Sequence, residues 1–183
     1  MPPGATTTHD VPTRHGAARV HLTAPATAAR GALVLGHGAG GGVDAPDLRE
    51  VADVAAGAGW LVALVEQPYR VQGRKGPPRA PTLDGAWEDV VGDLVAGPLA
   101  GLPLVVGGRS SGARVACRTA AATGAAAVLV DPSSADELAQ GVLVARAHHA
   151  AAAHAGRSIA AGMTWGAAAA RLRGVYGTTR GAR

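Results

Sequence analysis

LPLVVGGRSSGARVACRTAAATG, residues 102–124, passes from an apolar run through a glycine pair and two serines into an alanine-rich stretch. Leu102–Val106 reads as a buried strand and Ser111–Ala122 as a helix, so the corner between them is a strand-to-helix turn. Gly108, Arg109, Ser110, Ser111 and Gly112 fit the pattern G-x-S-x-G. Glycines flanking the middle residue leave room for the neighbouring strand and helix when that residue is held in a strained backbone conformation. Ser110 then stands at the apex with its hydroxyl pointing out of the sheet. In an open parallel sheet such corners lie at the carboxyl ends of the strands, where chemistry gathers.

The same alternation extends outward in GALVLGHGAGGGVDAPDLREVADVAAGAGWLVALVEQPYR, residues 31–70. Ala32–Leu35 is a continuous apolar run followed by a glycine-dense loop, Gly36–Gly42. A helix is expected from about Pro46, with Leu48, Val51, Val54 and Ala55 at helical spacing, and Gly57 and Gly59 stop it. Trp60–Glu66 is another buried strand. The loop QPYRVQGRKGPPRAPT is too rich in proline for regular structure, and Leu83, Ala86, Trp87, Val90, Val91 and Leu94 mark a second helix. Ala126–Val130 gives a fourth buried strand. Buried strands alternating with helices imply parallel strands and crossover helices. Toward the N-terminus, Asp10–Thr13 and Ala18–Thr23 suggest a hairpin of edge strands, and residues 1–8 read as disordered.

Composition narrows the classes. A chain of 183 residues buries one core of ordinary size, built from Val, Leu and Ala because Phe is absent and only three Trp and two Tyr are present. The formal charge of +4 rests on scattered arginines with no aromatic-basic platform, which argues against a nucleic-acid partner. No apolar run approaches the roughly 20 residues that span a bilayer, so no membrane partner is expected. Cys117, the single cysteine, excludes an internal disulfide framework and is expected to be a small buried residue; the cytoplasm is the default location.

A serine hydroxyl is a weak nucleophile until a base takes its proton, and the oxyanion that forms needs donors placed in advance. The N–H of Ser111, at a helix N-terminus, suits one donor; the N–H of Ala39 or Gly40 in the glycine loop suits the other. Losing one such donor costs about 3–4 kcal/mol of transition-state stabilisation. G-x-S-x-G standing alone also fits a plain turn; strand-turn-helix context and the glycine loop turn the balance toward a nucleophile elbow. Gly36, Gly38 and Gly41 also spell G-x-G-x-x-G, which with Glu66 offers a dinucleotide-binding alternative. That fingerprint needs a helix starting inside it, whereas Pro46 sets the start later. Glu66 itself suits substrate contact or pairing with Arg70. The basic residues Arg70, Arg74, Lys75 and Arg79 fit either a solvated loop or preference for an acidic substrate.

Together GALVLGHGAGGGVDAPDL, LVALVEQPYRVQGR and LPLVVGGRSSGARVACRTAAATGAAAVL resemble the small bacterial α/β-hydrolases related to dienelactone hydrolase, over about residues 9–130. The resemblance implies an α/β fold: an incomplete three-layer, α/β-hydrolase-like parallel sheet over 9–130. It implies Ser110 as nucleophile and the loop from His37 to Gly40 as oxyanion hole, with no metal or organic cofactor and a small molecule carrying an ester or related acyl bond as substrate. His37 is expected to shape its loop rather than act as base. The family orders its residues serine, acid, histidine, but no histidine follows Ser110 in the matched region. Residues 131–183 read instead as a helical tail whose VDPSSADELAQGVL and GRSIAAGMTWGAAAARLRGVYG resemble the C-terminal end of a family 4 GT-B glycosyltransferase. A joining of two gene fragments near Val128–Pro132 is the expectation, with a non-catalytic hydrolase remnant as the alternative to an impaired serine hydrolase. Asp131 as acid and one of His148, His149 and His154 as base keep the family order, His154 being the candidate taken forward. Against them, these histidines sit in an alanine-rich helical stretch, and their spacing is weak as a metal site.

Overall fold

The computed structural model describes residues 4–127. A hairpin opens the domain: β1 (Thr6–Thr13) pairs antiparallel with β2 (Gly16–Thr23), and Arg14 and His15 form the turn. Ala18, Val20 and Leu22 are buried on one face of β2 while Arg19, His21 and Thr23 line the other, the period of two that a half-buried strand requires. The tip is tied down by Asp89, which accepts from the Arg14 backbone N–H at 2.8 Å and from its guanidinium.

The central elements follow in βα order. β3 (Gly31–Gly36) is buried along its whole length. α1 (Pro46–Gly57) has proline in its first turn and buries Leu48, Ala52 and Ala55. After β4 (Trp60–Glu66) come the single turn α2 (Pro68–Val71), then α3 (Ala80–Ala96), β5 (Leu104–Gly108), α4 (Ser111–Thr123) and the two-residue β6 (Ala126–Ala127). Gly124, at φ +67°, ends α4 in the left-handed conformation that glycine adopts without penalty.

The six strands of the described residues lie in the order β1-β2-β4-β3-β5-β6, with β4, β3, β5 and β6 mutually parallel. Two cores flank the sheet. Ala32, Val34, Ala63, Val65 and Val106 face Trp87, Val90, Val91 and Leu94 of α3 and Val115 and Ala116 of α4. Leu33, Leu35, Trp60, Val62 and Val105 face α1. The fold is thus three-layered. Trp60 and Trp87 are the largest fully buried side chains among the described residues, and truncating either to alanine costs about 3–5 kcal/mol.

Several expectations need correction. The sheet is mixed, because β2 runs antiparallel to β4 and is an interior strand rather than an edge. β1 begins at Thr6, so residues 6–8 of the stretch read as disordered belong to a strand; β-branched threonines suit one, and Thr6 hydrogen-bonds across to Thr23 at 2.9 Å. The proline-rich loop holds α2 and the first turn of α3, since proline is accepted at helix starts. The described part of the expected strand Ala126–Val130 is β6, and residues 128–130 lie outside the described residues. The expected helical tail, with Asp131, His148, His149 and His154, lies outside the described residues. Among the described residues no helix is long and apolar enough to cross a membrane.

Candidate active site

Ser110 joins β5 to α4 with φ +51° and ψ −105°, the one non-glycine residue at positive φ among the described residues. Such a backbone costs an L-residue about 1–3 kcal/mol and persists only where its surroundings enforce it. Here they do. The Arg109 N–H donates to Gly36 O at 2.9 Å, the Gly112 N–H to Arg109 O at 2.9 Å, and the Arg114 N–H to Ser110 O at 3.2 Å. A Cβ on Gly108 would be driven into Gly36 O and within 2.9 Å of Gly36 N; one on Gly112 would strike Gly36 O and C and come within 2.8 Å of its Cα. A Cβ on Gly36 would in turn meet the Trp87 ring at 3.0 Å. Three glycines therefore let β3, β5 and the start of α4 meet backbone to backbone. Ser110 is exposed, and its side chain caps no helix N–H and has no hydrogen-bond partner among the described residues.

The glycine loop after β3 lies beside this corner: a Cβ on Gly38 would sit 3.6 Å from the Ser110 Cβ. Its shape is held from beneath by buried groups. His37 is 3% exposed; its Nε2 accepts from the Gln67 N–H at 3.2 Å, which leaves the proton on Nδ1 to donate to Gly38 O at 2.8 Å. Burial lowers the His37 pKa below its ordinary 6.5, keeping the ring neutral, and both nitrogens are occupied. Tyr69 donates its hydroxyl to Ala39 O at 3.0 Å, and the Gly41 N–H donates to Gly38 O at 3.3 Å. With the loop carbonyls engaged this way, the N–H groups of Ala39, Gly40 and Ser111 have no partner among the described residues. Unpaired amide donors beside a hydroxyl on a strained turn form an arrangement able to receive a negative oxygen.

Sequence reasoning placed Gly36, His37, Gly38, Ala39, Gly40, Gly108, Ser110, Ser111 and Gly112, and the structure brings them to one end of the sheet. It missed Gln67 and Tyr69, because the pairings of β4 and α2 with the loop are tertiary. It also missed Asp47, whose carboxylate ion-pairs with Arg109 at 2.6 Å. Glu66 approaches His21 at 4.0 Å rather than Arg70, since antiparallel β2 brings His21 alongside the end of β4. The Arg70 Nε is buried with no hydrogen-bond partner among the described residues, whereas Arg74, Lys75 and Arg79 are exposed. Cys117 is exposed rather than buried, because on α4 it turns away from the face of Val115, Ala116, Thr119 and Ala120. α1 starts at Pro46, past Gly41, so no helix N-terminus arises within the G-x-G-x-x-G pattern.

Comparison with known proteins bears on the family and the fold. The alpha/beta hydrolase domain family matches residues 29–131, more than half of the chain. No curated protein sequence matches significantly. Among solved structures the chain is similar to an a/b serine hydrolase without lid from Xanthomonas campestris, with TM-score 0.59 and 17% identity over 68% of this chain and 59% of that one. It is also similar to a dienelactone hydrolase from Anabaena variabilis, with TM-score 0.57 and 22% identity over 64% and 57% of the two chains. An esterase from Pyrobaculum calidifontis aligns with TM-score 0.51 and 24% identity, over 68% of this chain and 42% of that one. The chain thus spans less than two thirds of the length of these neighbours.

Proposed function

Because this chain belongs to the alpha/beta hydrolase domain family, we propose that it is a serine hydrolase cleaving an ester or related acyl bond of a small molecule. Ser110 Oγ attacks the acyl carbon, its proton passes to a base, and the carbonyl oxygen becomes an oxyanion bound by the N–H of Ser111 and of Ala39 or Gly40. Collapse of that intermediate expels the leaving group with a proton and leaves an acyl-enzyme. Water then attacks the acyl carbon and frees the acid. His154 is the proposed base and Asp131 its acid, in the family's order of serine, acid, histidine. His37 shapes the loop and takes no proton, since both of its nitrogens are engaged.

The observation that carries the reading is the positive φ of Ser110, enforced by the contact of Gly108 and Gly112 with Gly36. A plain strand-to-helix turn has no need of a strained serine with a free hydroxyl. The test is labelling of the purified full chain with a fluorophosphonate probe. Labelling is expected in the wild type and absent in Ser110→Ala, and its loss in His154→Ala identifies the base. A folded wild type that takes no label refutes the proposal and leaves a hydrolase fold without hydrolase chemistry.

A further inference from the structure

We propose that Arg109 is a positioning residue whose guanidinium, ion-paired to Asp47, straps the glycine loop against the elbow and sets the direction of the loop's N–H groups; the inference rests on Ser110 being the nucleophile. Arg109 stands between Gly108 and Ser110, and its N–H is fixed on Gly36 O at 2.9 Å. Its main chain therefore belongs to the same backbone junction as the elbow. Its side chain runs over the loop: a Cβ on Gly38 would come within 3.3 Å of the Arg109 Nη1, and one on Gly41 within 3.9 Å. The guanidinium then meets Asp47, in the first turn of α1, with Nε 2.6 Å from Oδ2. One side chain so links the β5–α4 turn, the glycine loop and the helix that follows it.

The loop needs a hold from this side. Five of the seven residues from Gly36 to Gly42 are glycine, which gives the segment the largest conformational freedom a chain can have. Its internal backbone bonds, Gly41 N–H to Gly38 O at 3.3 Å and Ala45 N–H to Gly42 O at 3.4 Å, are long. His37 and Tyr69 hold it from beneath, through the carbonyls of Gly38 and Ala39. Arg109 crosses its outer side. The absence of a side chain at Gly38 leaves room for the guanidinium, whose Nη1 would lie 3.3 Å from a Cβ there. Asp47 suits its place for a second reason, since a carboxylate in the first turn of a helix is favoured by the helix dipole.

The pair is partly exposed, 49% for the Arg109 side chain and 34% for that of Asp47, so its effect is modest and sensitive to salt. The experiment uses the full chain as wild type, Arg109→Ala, Asp47→Asn, the double variant and Arg109→Lys. Amide hydrogen exchange of peptides spanning residues 36–45 is measured first. Either single variant is expected to raise exchange about three- to five-fold, the double variant no more than a single one, and lysine to restore part of the protection. The rate of Ser110 labelling should fall by a similar factor, and 1 M NaCl should bring the wild type toward the variants while leaving them unchanged. Unchanged exchange in either single variant, multiplying effects in the double, or variants labelling at the wild-type rate would overturn the strap. A wild type that takes no label removes the hydrolase reading, and exchange in the loop then decides the strap by itself.

Discussion

Replacing Ser110 by alanine and by glycine separates the chemistry of the hydroxyl from the strain of the backbone. Both variants lose the hydroxyl, and neither loses a helix cap, because the Ser110 side chain makes no capping bond. Alanine keeps the cost of holding φ +51° and ψ −105°, about 1–3 kcal/mol for an L-residue. Glycine adopts positive φ with little steric cost but loses about 0.5–1 kcal/mol more chain entropy on folding. The difference leaves Ser110→Gly more stable than Ser110→Ala by about 1 kcal/mol, or about 2–4 °C in melting temperature for a chain of this length. Thermal unfolding followed by circular dichroism reads the shift, and a fluorophosphonate probe should label neither variant. A glycine variant that melts at or below the alanine variant would show that the elbow stores no strain, and the argument from φ would collapse.

Gly112→Ala should be among the most damaging single-carbon additions, because its Cβ lands on the Gly36 main chain and no rotamer change can relieve the clash; about 3 kcal/mol of stability and the labelling should be lost together. Gly92→Ala is the matched control: it is exposed, in the middle of α3 and with nothing within 4 Å, so it should gain about 0.5–1 kcal/mol, and a loss there would discredit the comparison. The lowered pKa of His37 means that the unfolded chain binds a proton that the folded chain resists, so its contribution to stability is whole above pH 6.5 and declines as pH falls from there toward the folded value. Denaturant midpoints at pH 7.5 and 5.5 should therefore differ less in His37→Gln than in the wild type, and equal differences would contradict a buried neutral imidazole. Asp89→Asn weakens the tie between the hairpin tip and α3 and should cost no more than about 1 kcal/mol, measured by urea unfolding, as for other surface ion pairs.

The βα alternation was legible because buried strands and helices have different periods: Trp60–Glu66 and the start of α1 at Pro46 fall where the apolar runs and the proline put them. G-x-S-x-G was legible for a similar reason, since a strained turn can be written locally in glycine. The position of β2 inside the sheet was not, because an alternating strand pairs as well at an edge as in the interior, and only the antiparallel seat against β4 decides. The same limit hid the exposure of Cys117, which a change of about 100° around α4 settles.

By itself, then, the sequence determined a parallel αβ core, a glycine loop after one strand and a serine at the apex of another. Tertiary structure decided that Gly36 is the residue Gly108 and Gly112 must make room for, that Tyr69 and Gln67 hold the loop from beneath, and that Arg109 reaches Asp47 above it. The physical reason is one of range. Propensity, capping and turn chemistry act within a few residues of the chain, whereas these contacts join residues from 30 to more than 60 positions apart and exist only once the crossovers have stacked β3, β4 and β5 side by side.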